Sequence, residues 1–122
     1  MALLQAKLQT SVNLSTAQTG NGDSTNTCLR GADDSSGAVV ITSAVGATPT
    51  VTVNIQGSAD GVAYFNIPYA LVATPATFVI TAITITTAVT TTYLLQTNQP
   101  WRYLKLVYSA NTNVTLTADA FL

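Results

Sequence analysis

Catalysis needs a base, a nucleophile or a set of metal ligands, and this chain offers few of any. It contains no histidine and no glutamate, the groups on which acid–base and nucleophilic catalysis most often lean. A Ser-His-Asp arrangement is therefore impossible. Its one cysteine, Cys28, has no imidazole to activate it and reads as a small buried hydrophobe. The acids are Asp23, Asp33, Asp34, Asp60 and Asp119. Asp33 and Asp34 beside Asp23 are a conceivable calcium set, but EF-hand spacing is missing. All but Asp119 sit in Gly/Ser/Asn-rich turns, where aspartate is favoured for its local hydrogen bonds. No enzyme, no metal and no cofactor is expected.

The basic residues are as sparse. Arg102 and Lys105 lie in WRYLKLVYS, where strand alternation puts Arg102 with Leu104, Leu106 and Tyr108, and Lys105 with Trp101, Tyr103 and Val107. Cations on opposite faces make no patch, so no nucleic-acid partner is expected. Trp101 reads as a packing anchor. A sugar-binding surface would instead need Tyr64, Phe65, Tyr69 or Trp101 exposed as a stacking platform.

The elements that would position these groups read as strands. At 122 residues the chain is one domain, long enough to bury a core without disulfides. Leu4, Ala6, Leu8, Val12 and Leu14 alternate with polar residues, the period of a half-buried strand. A polar, Gly-rich loop follows at about 18–37, with a short strand expected at 27–30. GAVVITSA and TVTVNIQ read as two further strands. The turn GSADG should reverse the chain into VAYFNIP, and WRYLKLVYS and NVTLTADAF should form a closing hairpin about ANTN. No segment has a helical period. The expectation is a single antiparallel β-sandwich over 1–122, a jelly roll of about eight strands.

The segment TFVITAITITTAVTTTYLLQ, residues 77–96, is long enough to span a bilayer and carries no charge. Eight threonines, a strand-like period and flanking prolines argue against a spanning helix. It reads as two or three strands of the sandwich interior, with a turn or bulge between Ala82 and Ile83. No membrane partner is expected. The start lacks the basic and apolar regions of a signal peptide, so export by the standard route is not expected either. Charged residues make up only 7% of the chain, with a net charge of −1, against about 25% in ordinary soluble proteins. Such a surface suits a protein that spends its life in an assembly.

Over residues 50–122 the order of features resembles a known family. VTVNIQ, the GSADG turn, YFNIP, a Thr/Ala/Val stretch and PWRYLKLVYSANTNVTLTADAF together look like the jelly-roll capsid cement, or decoration, proteins of tailed bacteriophages. The resemblance implies a non-enzymatic virion protein made in the host cytoplasm. It would bind the capsid exterior as a homodimer or homotrimer and stabilise contacts between major capsid protein subunits. The N-terminal strand and the loop at 18–37 are then the candidates for reaching the shell or a sister subunit. A carbohydrate-binding sandwich and a tail or baseplate subunit of a phage remain as alternatives. No binding residue can be named from the sequence.

Overall fold

A computed structural model describes residues 11–30, 37–96 and 98–122. Asp33, Asp34 and the expected strand residues 4–10 lie outside them. The described residues form strands and turns with no helix: β1 Ser11–Gln18, β2 Gly22–Asp23, β3 Cys28–Leu29, β4 Ala38–Ser58, β5 Phe65–Asn66, β6 Tyr69–Leu71, β7 Ile83–Ile85, β8 Thr90–Leu95 and β9 Tyr103–Phe121. Every pairing is antiparallel.

The organising element is a long ribbon. β4 and β9 pair from Ala38↔Phe121 to Ser58↔Tyr103, with register shifts between Val45 and Thr52. In β4 the odd residues Val39, Ile41, Val51, Val53 and Ile55 are buried; in β9 the even ones are, from Leu104 and Leu106 to Leu116, Ala118 and Ala120. The parity survives the shift, so one apolar face runs the length of the ribbon and folds over on itself. Three non-glycine residues with positive φ make the bend: Thr48 (φ 49°), Ala110 (φ 53°) and Asn113 (φ 54°). Side-chain amides hold it, with Asn113 Nδ2 donating to the Ala47 carbonyl (2.6 Å) and Asn111 bonding both backbone groups of Val114.

Each half of the ribbon is the centre of one layer. The order across the first layer is β1, β9, β4, β8, β6; in the second, β2 and β3 flank β9 while β5 and β7 flank β4. Counting β4 and β9 once per layer, and the pairs β2/β3 and β5/β7 as interrupted strands, gives eight positions besides β6, which extends the first layer beyond β8. Their orders are first-eighth-third-sixth and second-seventh-fourth-fifth, which is jelly-roll topology. Between the layers, the buried Tyr108 hydroxyl donates to Ser15 Oγ at 3.0 Å.

Several expectations need correction. ANTN does not close a hairpin: the chain runs on as one strand, because the positive-φ residues bend it without reversing it. GAVVITSA and TVTVNIQ are likewise one strand. Within the loop at 18–37 the short strand expected at 27–30 is present as β3, but the segment is more tied down than a loop as far as Arg30: β2 and β3 pair with β9, Ser24 and Cys28 are buried, and the Asn26 amide bonds the Leu14 carbonyl. Residues 77–96 are mostly not interior. Only Ile83, Ile85, Tyr93 and Leu95 are buried there, and everything from Leu71 to Ala82 is exposed. β1 keeps Leu14 in the core, but Val12 is 37% exposed.

Candidate interaction surface

The turn GSADG behaves as its residues require. Gly61 takes φ 81°, Ser58 Oγ accepts the Gly61 amide at 2.8 Å, and Asp60 Oδ1 accepts those of Val62 and Ala63. These backbone donors hold the Asp60 carboxyl below its ordinary pKa. Asp60 is thereby a turn-former, and β5 returns beside β4 as expected.

From Gly61 to Trp101 no residue carries a charge. This run supplies β5, β6, β7 and β8, the whole β4-side edge of both layers. Apart from Asp60 in the turn that precedes the run, the described charges lie elsewhere. Lys105 Nζ meets Asp23 Oδ2 at 3.0 Å, Asp119 accepts from Asn13 Nδ2 at 2.9 Å, and Arg30 and Arg102 flank the start of β9. One flank is thus polar and charged, and the other neutral except at its head, where Asp60 holds the turn and Lys105 lies over the Tyr64 ring.

The neutral flank also carries most of the exposed large apolar side chains: Val62, Phe65, Leu71, Val72, Phe78, Val79, Ile80 and Val89, with Ile80 at 58% and Val72 at 61%. A monomer normally scatters such residues singly; here they gather on one edge. Between β6 and β7 a cleft of about 330 Å³ opens, lined by Tyr69, Leu71, Val79, Ile83 and Tyr93 among others. Tyr69 and Tyr93 meet edge to face with centroids 5.4 Å apart, and the Tyr69 hydroxyl is 3.0 Å from Thr81 Oγ1. A larger cleft of about 450 Å³ lies at the ribbon bend, lined by Thr19, Gly46, Asn111, Asn113 and Thr115 among others. Its asparagines are committed to the backbone of the bend.

The residues singled out in the sequence fall out as follows. Trp101 is fully buried, its Nε1 donating to the Gln96 carbonyl at 3.1 Å, and the Arg30 guanidinium lies 4.1 Å from its ring centroid. The strand-face assignment fails for Trp101 and Arg102 because β9 begins only at Tyr103; Arg102 is exposed and Trp101 points inward. Tyr69 is also buried, and Lys105 Nζ lies 4.1 Å from the Tyr64 ring centroid. Of the four aromatics proposed for a sugar platform, Tyr69 and Trp101 are buried, Tyr64 is half-buried and Phe65 is 38% exposed. Cys28 is buried, and burial pushes its thiol pKa up to about 11. Asp23 is taken up by Lys105, and the described residues hold no group of three or more potential metal ligands. Among them no helix is long and apolar enough to cross a membrane.

Sequence reasoning missed the neutral flank as a surface because it read the 77–96 segment as interior. The signal was available: the segment is richer in threonine than a two-sided core strand requires. Comparison with protein-family models, curated proteins and solved structures finds no match.

Proposed function

We propose that the protein is a non-enzymatic structural subunit of a virion, a cement protein that binds the outside of a phage capsid and bridges major capsid protein subunits. One observation carries the reading: a jelly roll whose whole β4-side edge is uncharged and studded with exposed apolar side chains. Such an edge is a liability on a free monomer and an asset in an assembly, where burial contributes about 25 cal/mol per Å² of apolar surface. Repetition over a symmetric shell multiplies a modest single-site affinity.

The neutral flank joins the N-terminal strand and the loop at 18–37 as a candidate contact surface. Residues 18–30 hold an edge strand of the second layer, so they are part of the sandwich rather than an arm reaching for the shell. The neutral flank is the better candidate. The carbohydrate-binding reading has lost Trp101 and Tyr69 as stacking residues, and no other observation favours it.

A cryo-EM map of the particle whose genome encodes the chain tests the proposal. Jelly-roll density on the capsid exterior, with the β4-side edge against a neighbour, is the expected result. Density confined to the tail, or to no particle, refutes it.

A further inference from the structure

The second layer ends on the neutral flank in β7, which pairs with β4 through Val51↔Ile85, Thr52↔Thr84 and Val53↔Ile83. Its other side has no strand partner among the described residues. Proteins usually blunt such an edge with lysine, proline, a bulge or a covering loop. β7 is short, at three residues, but the run that holds it, TAITITTAVT at 81–90, contains no charge and no proline. Thr84, Thr86 and Thr87 stand exposed, while Ile83 and Ile85 point into the core.

We propose that this edge is a self-association site, occupied by β7 of a second copy running antiparallel about a two-fold axis at Thr84. Charge selects the occupant. A charged partner would lose hydration against this flank and meet no opposite charge, whereas the flank itself meets a surface that is neutral like its own. The backbone selects it too. An open strand edge is a row of alternating donors and acceptors, and an antiparallel copy presents the matching row. A two-fold contact requires a self-complementary patch, since each residue meets the symmetry mate of its own neighbour. Thr84 then faces Thr84, a favourable cross-strand pair, and the two second layers join into one sheet. The cleft between β6 and β7 lies beside the seam, open to an apolar side chain of the partner.

This rests on the reading of the neutral flank as an assembly surface, but its test needs no shell. Light scattering coupled to size exclusion at tens of micromolar should give twice the chain mass of 12.7 kDa. Thr84→Lys, which places two ammonium groups on the axis, should return the mass to that of one chain. Thr25→Lys, on the opposite flank, should leave the dimer intact. Mixing Thr84→Lys with Thr84→Asp should restore the doubled mass, a rescue that a folding defect would not produce. Hydrogen exchange on the unsubstituted protein gives a readout independent of any variant: amides of residues 81–86 should gain protection as concentration rises. A monomeric parent protein overturns the proposal. So does a dimer that survives Thr84→Lys, or protection at 81–86 that ignores concentration. Failure on the virion with a dimer in solution would sink the cement reading alone.

Discussion

The hydrogen bond between Tyr108 and Ser15 is the sharpest place to test how the two layers are held. Tyr108 is 1% exposed and Ser15 fully buried. The phenol donates to Ser15 Oγ at 3.0 Å; that hydroxyl donates to Gln18 Oε1 at 2.7 Å and accepts the Thr25 amide at 3.3 Å. The two deletions are therefore not equivalent. Tyr108→Phe removes one bond and leaves Ser15 with two partners, so the expected loss is about 1 kcal/mol. Ser15→Ala removes three bonds and strands the phenol, with a desolvation penalty of about 1–3 kcal/mol for the orphaned group alone. The non-additivity decides the matter. In the Ser15→Ala background the phenol is already an orphan, so adding Tyr108→Phe should cost nothing or restore stability. Urea unfolding followed by circular dichroism measures all four corners of the cycle, provided the slope stays constant. If Tyr108→Phe costs the same in both backgrounds, the two side chains are not coupled and the bond does not tie the layers.

Three other substitutions or conditions have definite outcomes. A Cβ at Gly57 would stand 2.5 Å from Ile67 Cδ1 and 2.9 Å from Trp101 Cβ; Gly57→Ala should cost about 1–3 kcal/mol by overpacking and lower Tm by roughly 3–15 °C in calorimetry, and an unchanged Tm would refute that packing. Trp101 emission should resist iodide in the native protein and become quenchable in urea; ready native quenching would contradict its burial. Burial raises the pKa of Cys28 to about 11 and also raises those of Tyr93 and Tyr108. Raised acids are protonated in the folded chain and ionise sooner in the unfolded one, so stability should be flat from neutral pH to about pH 9 and fall towards pH 11. Cys28→Ala should remove the part of that fall that belongs to the thiol, and an identical pH profile in the variant would rule the thiol out.

The layers of this fold were legible in sequence where alternation was strict. Val51, Val53 and Ile55, then Leu104 and Leu106, announce one buried face with period two, and each is in the core. The Asp60–Gly61 turn was legible because its chemistry is local, an aspartate accepting amides and a glycine at positive φ. What was not legible is the difference between a bend and a reversal. Ala-Asn-Thr-Asn and Gly-Ala-Thr-Pro carry turn-forming residues in either case. Only the pairing partner, a strand more than forty positions away, decides that the chain goes on. Residues 77–82 were misassigned for a related reason: an uncharged Thr/Ile/Val run has the same composition on a sandwich edge as inside one. The side it faces is set by what packs on it, which a single chain does not spell out.

The ribbon also governs how the molecule comes apart. In many sandwiches the two sheets share little but side-chain contacts; here each of two strands is central to both layers, so neither layer has an independent backbone. Partial unfolding that spares one layer would have to break β4 and β9 at the bend, where Asn111 and Asn113 clamp them. The structure therefore implies a single all-or-none transition. It also implies slow folding, because β4 must wait for a partner more than forty positions along the chain even at Ser58↔Tyr103, the nearest of their pairs. An edge as bare as β7 is thus exposed for the whole of that wait.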